Sequence, residues 1–461
     1  MAVIKKFIGS KAFYKATLSV ALPIMIQNFI TNFVSMLDNL MVGSLGTEEM
    51  SGVSIVNQLV FIFSLAIFGA LSGAGIFTAQ FFGKDDNDGI RYTVRFKLII
   101  SLLIFAAGTA VFYFFGDKLI GLFIHDADPA CDLELTAGFA KKYLLYMLLG
   151  LLPFALSQCF SSTLRETGET LAPMLAGLAA VITNCCFNYL LIFGKFGFPR
   201  LGVAGAAIAT VISRYVECAV IIIYTYAKRN RFTYIKDAFR SLKIPAPLLK
   251  SITVKGMPLL ANEFLWSSGM SLLSVAYSLH GLSVVAGYSI SSTVMNLSNI
   301  AFLSLGSSIG IIIGKQLGAG EYEEAVDTDR KLIAFSVFLS LCISVVMIIC
   351  GNKIPELYNT SAASKAYASY FIRVCAFAMP VVAFANASYF TMRSGGKTFI
   401  TFLFDSVFVF LLPVPLAFLL FKVFGLSIWV IFPIVQFCDL VKDIIGFILI
   451  KKRVWVNNIV V

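Results

Sequence analysis

Six carboxylates stand inside long apolar stretches of this 461-residue chain: Asp38, Glu217, Glu263, Asp405, Asp439 and Asp443. A charged side chain in hydrocarbon costs about 3 kcal/mol or more unless it is paired or faces water, so each is a candidate for ion or ligand chemistry. Glu217 follows Arg214 by three residues, and Asp439 and Asp443 flank Lys442, spacings that suit structural pairing. Asp405 falls about two turns inside its stretch, within reach of water. Asp38 and Glu263 have no basic residue within a turn on their own helices. Asp38 shares a helical stripe with Gln27, Thr31 and Ser35, flanked by Asn28 and Asn32. Asn184 and Asn188 repeat at i, i+4, Asn262 precedes Glu263, and Ser289, Ser292, Asn296 and Asn299 form another one-face stripe. Such faces cannot point at lipid; they line an aqueous space or bond helix to helix. Trp266, one turn after Asn262, offers an aromatic surface to a cationic ligand. The chemistry these residue types suit is reversible binding of a small cation or proton and of a cationic molecule. Two histidines leave no His-built metal site, and no nucleophile–base pairing stands among the stretches, so no enzymatic activity and no cofactor are expected.

The elements that carry these residues are membrane helices. Of the chain, 59% is hydrophobic and only 13% charged, which excludes a large water-soluble domain. Apolar stretches run over 17–42, 51–80, 96–116, 138–161, 171–194, 202–226, 252–279, 284–314, 331–350, 366–391, 398–421 and 427–450. Each is long enough to span a bilayer, and none shows the alternation of a barrel strand, so the spacing predicts twelve transmembrane helices. The first stretch is too long for a signal-peptide core and no Ala-x-Ala site follows it, so it is read as a retained span. Gly396-Lys397-Thr398 lacks the glycine that a phosphate-binding loop needs, because Thr391 stands in its place. The nine cysteines, mostly inside apolar runs, read as small buried residues. Counting charges within five residues of a stretch's end with the adjoining loop, 25 of the 36 Lys and Arg, Lys97 among them, lie at the termini and in even-numbered loops, eight in odd-numbered loops, and Arg214, Arg373 and Lys442 deep within spans. The positive-inside bias places both termini in the cytoplasm. The net charge of +11 is then mostly topological, with no nucleic acid as partner, and the basic stretch from Lys228 to Lys255 is expected to lie on anionic lipid.

The chain is also a duplication. Thr163-Leu-Arg-Glu-Thr-Gly-Glu-Thr170 recurs as Thr391-Met-Arg-Ser-Gly-Gly-Lys-Thr398 at an offset of 228, and Pro23 and Pro258 lie 235 apart. The expected architecture is an all-α polytopic membrane protein with two pseudo-symmetric six-helix lobes of like orientation: 1–230, a cytoplasmic linker over 231–250, and 251–461. A chain holding both lobes is expected to work as a monomer.

With these residues in place the chain resembles the multidrug and toxic compound extrusion (MATE) transporters of bacteria. Pro23 with Asp38 and then Val42-Gly43-Ser-Leu-Gly46 is similar to the family's first helix. Gln316-Leu-Gly-Ala-Gly320 resembles the loop after its helix eight, and Thr391-x-Arg-x-Gly-Gly the turn after helix ten. Asn184 to Arg214 resembles helices five and six, and Pro258-Leu-Leu-Ala-Asn262-Glu263-Phe-Leu-Trp266 helix seven of a bacterial subset. The resemblance implies two lobes around a cleft that opens alternately to each side, with Asp38 binding the coupling proton or sodium ion. It also implies coupling roles for Asn184, for Asn188 where some members carry Asp, and for Thr210 as the helix-six threonine. The acid of helix ten is absent, since 383–386 hold Ala, Phe, Ala and Asn, and Glu263 stands about one turn before the helix-seven acid of the sodium-coupled type. The expected function is efflux of cationic amphipathic small molecules in exchange for protons or sodium ions across the bacterial cytoplasmic membrane. Gln27, Asn28, Asn32, Asn262, Glu263, Trp266, Ser292 and Asn296 are the expected substrate contacts. A lipid-linked saccharide flippase is the alternative. It would need a basic cleft, for which Arg373 is the sole unpaired cation expected to be buried.

Overall fold

The computed structural model describes residues 6–123, 132–358 and 360–460, and no strand occurs among them. Ten helices follow one another: α1 (Lys11–Gly43), α2 (Thr47–Gly83), α3 (Asn87–Gly121), α4 (Leu133–Glu166), α5 (Leu171–Phe193), α6 (Val203–Ala227), α7 (Ala246–Ser278), α8 (Leu282–Ala319), α9 (Tyr322–Cys350) and α10 (Ala362–Ser394). The eleventh span, α11 (Thr398–Lys422), contains a π-helical turn over Leu403–Val407 and an irregular joint at Leu412, just before Pro413. The twelfth is broken into α12 (Ile428–Gln436) and α13 (Asp439–Lys451).

Among the described residues, ten helices are long and apolar enough to cross a membrane, α1 to α6 and α8 to α11. Two expected spans fall outside that set for visible reasons. The apolar run of α7 is diluted by Asn262, Glu263, Ser267, Ser268, Ser271, Ser274 and Ser278, and the twelfth stretch is divided at Phe437–Cys438 into pieces of nine and thirteen residues. The helix ends follow local chemistry. Asp86 Oδ1 accepts from the Gly89 amide at the start of α3, and Asp132 Oδ1 accepts from Glu134 and Leu135 at the start of α4. Helices α5 and α8 stop at Gly194 and Gly320, whose φ angles of 66° and 79° glycine adopts without strain.

By contacts the chain divides into two units. One comprises Ile26–Thr78 and Asp86–Thr253; the other comprises Met1–Met25, Ala79–Asp85 and Val254–Val461. The basic stretch over 231–250 thus folds with the first of these, and the start of α1 and the end of α2 with the second. The 26–253 unit has its core around Val56, Ile67, Ala155, Ile192 and Ala207. It also buries Lys97 completely, ion-paired to Glu166 with Thr163 3.3 Å away. The sequence reading counted Lys97 with the loop before the third span; Glu166 and Thr163 on α4 are what allow an ammonium to sit there without water.

The C-terminal unit packs Phe371, Met379, Ile431 and Phe432 into one core, with the Phe371 and Phe432 rings 4.2 Å apart. A second cluster gathers Ile309, Ile313, Leu332 and Trp455, the last only 1% exposed. Beyond α13 the chain turns back over this cluster. Gln80, fully buried at the end of α2, donates to Ser394 O and Asn457 O and accepts from the Ile459 amide at 2.8 Å. Lys84 donates to Val460 O, and Asn458 to Gly318 O. The helices meet here backbone to backbone: a Cβ on Gly318 would stand 1.9 Å from Gln80 O. Gly318→Val is therefore expected to cost about 2 kcal/mol of stability by overpacking, read as a lowered unfolding temperature of the full chain in detergent. An unchanged unfolding temperature would show that this close approach is not required.

Candidate functional site

Asp38 lies in the last three turns of α1 and is half-buried. Helix α5 brings Asn184 and Asn188 to it on one face, as their i, i+4 spacing requires. Asn188, 1% exposed, donates from Nδ2 to Asp38 Oδ1 and to Asn184 Oδ1 at 3.0 Å. Asn184, 4% exposed, is 3.3 Å from Thr210 Oγ1 on α6. All four residues expected to couple an ion are thus contiguous, within one unit. The Asn184 amide also reaches the carboxyl. Turned toward it, its nitrogen donates to Asp38 Oδ1 at 2.7 Å and Oδ2 at 3.2 Å while its oxygen accepts from Thr210. Carboxylate, amide and hydroxyl oxygens are equally the hard donors that a small cation takes. Asn188 Oδ1, buried without a partner, is available to such a cation.

The surroundings add two residues the sequence reading did not place at this site. Tyr143 on α4, 4% exposed, stands against Thr210 with its hydroxyl 3.5 Å from Asn57 Oδ1. It sits among apolar neighbours in sequence, so no periodic signal marks it. Arg214 on α6, expected to pair structurally with Glu217, lies with its guanidinium 4.3 Å from the Phe154 ring centroid and within electrostatic range of Asp38 as well as Glu217. It faces Asp38 at a distance and leaves the contact positions to the amides.

The remaining stripe on α1 is largely self-satisfied. Thr31 donates to Gln27 O, Asn32 to Asn28 O and Ser35 to Thr31 O, at 2.8 to 3.0 Å. Gln27 packs its amide against Gly177 on α5, its Oε1 buried without a donor. In the other unit Asn262 is 3% exposed and fully engaged: Nδ2 donates to Asp405 Oδ2 at 3.1 Å, and Ser406 Oγ lies 2.7 Å from its side-chain oxygen. Lys442 on α13 donates to Asp405 Oδ1 at 3.2 Å and pairs with Asp439 at 3.5 Å, whereas Asp443 Oδ1 is buried with no partner. Asp405 is therefore bound in an ion pair, at the π-helical turn of α11, with 22% of its side chain still exposed. Glu263 is half-buried and within electrostatic range of Arg393 and Asp405. Trp266 is 41% exposed and Asn296 is exposed, while Ser292 donates to Ser289 O. Arg373 is exposed and donates to Asn352, so the buried cation that a pyrophosphate would need is not provided by it.

Comparison with known proteins decides the family. The family model MatE matches residues 23–190 and 258–419. The chain belongs to the MatE family. A relative from Thermotoga maritima, named probable multidrug resistance protein NorM, is 25% identical over 419 residues, covering 90% of this chain and 87% of its own. The probable multidrug resistance protein YoeA of Bacillus subtilis is 24% identical, covering 89% and 88%. A solved structure described as the outward-facing conformation of a multidrug resistance MATE family transporter of the MOP superfamily has a TM-score of 0.85 to this chain, covering 98% of it and 97% of that chain, at 19% identity. That likeness shows the fold, a multi-pass bundle that is all helix among the described residues.

On the MATE repeat, offset 228 places Arg214 on Lys442. Each unit carries a cation at the same position of its last helix, and each has an acid held by an asparagine Nδ2: Asp38 by Asn188, Asp405 by Asn262. In the N-terminal unit the cation stands off; in the C-terminal unit it is in contact. Removing Lys442 leaves Asp405 and Asp439 uncompensated. Lys442→Met is expected to cost about 3 kcal/mol, and Lys442→Met with Asp405→Asn distinctly less. Thermal unfolding of both variants checks this; equal losses would mean that the two side chains do not act as a pair.

Proposed function

We propose that this chain exports cationic amphipathic small molecules in exchange for protons or sodium ions, by alternating access, across a bacterial cytoplasmic membrane with both termini in the cytoplasm. The observation that carries the reading is Asp38: a carboxylate within a membrane helix whose direct partners are neutral amides, not an ammonium or guanidinium. Such a group can exchange a small cation without first breaking an ion pair. When ionised it favours a cationic molecule; once it holds a proton or sodium ion that preference falls. Reciprocity is required: if the ion weakens cargo binding by some factor, cargo weakens ion binding by the same factor. The names of the relatives, multidrug resistance proteins, support small-molecule export as the direction of work. Gln27, Asn28, Asn32, Glu263, Trp266, Ser292 and Asn296 remain the proposed cargo contacts. Asn262, next to Glu263 in sequence, is proposed as a further contact, its amide bonded to Asp405 and Ser406. The positive-inside bias supports the orientation, and one chain with both halves supports action as a monomer.

The deciding experiment uses proteoliposomes with imposed pH or sodium gradients and a fluorescent organic cation. Wild type is expected to accumulate the dye down the appropriate gradient. Asp38→Asn should fold normally yet lose gradient-driven transport on the order of ten-fold or more. Transport at the wild-type rate by that variant would remove Asp38 from the mechanism. A second measurement separates the ions. Adding the organic cation to purified protein in weak buffer should release protons if the proton is the coupling ion, and Asp38→Asn should release none. A cation affinity that instead falls with added sodium, with no proton release, identifies sodium.

A further inference from the structure

The most basic stretch of the chain, Lys228 to Lys255, holds eight Lys and Arg against one acid, Asp237. It is not a loose tether. Phe232, Tyr234, Ile235 and Ala238 are each no more than 5% exposed. The Tyr234 hydroxyl meets Thr167 Oγ1 at 3.1 Å, Arg231 pairs with Glu169 at 3.0 Å, and Thr233 donates to Asn87 Oδ1 at 2.7 Å. From α3, Arg95 fixes the stretch in place: Nε donates to Ala238 O at 2.6 Å and Nη1 to Lys243 O at 2.9 Å. The Tyr92 ring lies beside its guanidinium, 5.5 Å away. Arg91 donates to Thr233 O at 3.2 Å.

Between the first turns of α3 and residues 237–241 this folding leaves a cavity of about 370 Å³, all within one unit. Arg91, Tyr92, Arg95, Arg240 and Ser241 line it, with Asp88 and Asp237 the acids at its wall. Asp88 is already ion-paired to Arg91, and Arg95 is spent on carbonyls, so its role is to position the wall. What remains to face a ligand is the exposed guanidinium of Arg240, the rest of the Arg91 fork, Tyr92, and Ser241, whose Oγ accepts from the Lys243 amide at 3.2 Å, with the exposed Asp237 carboxylate beside them. Arg91 Nε is buried without an acceptor, an unmet donor in a group lining the cavity. Guanidinium forks with hydroxyls in a concave site match the oxygens of a phosphate. The helices on either side, α3 and α6, enter the apolar layer from here, which puts the cavity at headgroup depth on the positively charged side.

We propose that this cavity is a binding site for a phosphate group, supplied by an anionic phospholipid headgroup, with Arg91 and Arg240 as its ligating cations. The site ties the linker and the ends of α3 and α6 to the leaflet, and it is independent of the Asp38 centre.

The test uses the purified full chain in detergent, titrated separately with phosphatidylglycerol, phosphatidylcholine and inorganic phosphate. Unfolding temperature and bound lipid by native mass spectrometry are the readouts. Phosphatidylglycerol is expected to raise the unfolding temperature more than phosphatidylcholine, and added salt to weaken the effect. Arg91→Gln with Arg240→Gln should bind it roughly ten-fold more weakly. Arg240→Gln alone, at an exposed residue that no packing depends on, should show part of that loss and guards against misfolding of the double variant. A response to inorganic phosphate that the double variant loses would support the site and name free phosphate as its ligand. No stabilisation of wild type by any of the three, or equal stabilisation of wild type and both variants, would overturn the proposal. Neither readout involves transport, so failure here leaves the efflux reading standing.

Discussion

A carboxyl group placed among membrane helices must be neutral, hydrogen-bonded or reachable by an ion, because the surrounding hydrocarbon offers it nothing. Asp38 satisfies that constraint through amides. Asn188 donates to it, and so does Asn184 with its amide nitrogen turned toward the carboxyl. Neutral partners leave Asp38 free to take up or release a charge without an ion pair to break. An ion pair in their place would have made one charge state far more costly than the other. Reversible occupancy, which an exchanger needs, follows from using neutral partners.

The C-terminal unit meets the constraint by the opposite solution. Asp405 has its own asparagine, Asn262, but Lys442 contacts it directly. Elsewhere in the two units, repeat-related threonines serve charges of opposite sign: Thr163 stands beside Lys97, and Thr391 donates to Asp329 at 2.6 Å. Duplication preserved where polar groups sit, while substitution changed which charge occupies them. Asp38 aligns with Leu273 and Glu263 with Asn28 at offset 235, so the halves share a frame and differ in chemistry.

Much of the candidate site was legible in the sequence because membrane helices penalise polar residues, so any that occur stand out. Asp38 and the Asn184–Asn188 pair were visible by that contrast, and their helical spacing put each pair on one face. Tyr143 was invisible, since a tyrosine in an apolar run has no spacing to betray it. Lys97 was misplaced because its charge argued for a loop, and the acid that neutralises it, Glu166, is 69 residues away. Lys442 was expected between Asp439 and Asp443, its neighbours in sequence. It keeps Asp439, at 3.5 Å, and also reaches Asp405 on α11, while Asp443 Oδ1 is buried with no partner. Arg373 was expected to be buried and is exposed, because hydropathy locates a helix in the membrane layer and not the direction in which a given residue faces.

Composition, hydropathy period and the internal repeat by themselves determined that this chain is a duplicated bundle of membrane helices with acids in it, since lipid permits few other solutions for its backbone. Tertiary structure alone decided which acids are paired and which are held by amides, where the basic stretch folds, and that the last residues close over Gln80. Those outcomes depend on contacts between residues tens to hundreds of positions apart, and no periodicity along a single helix encodes them.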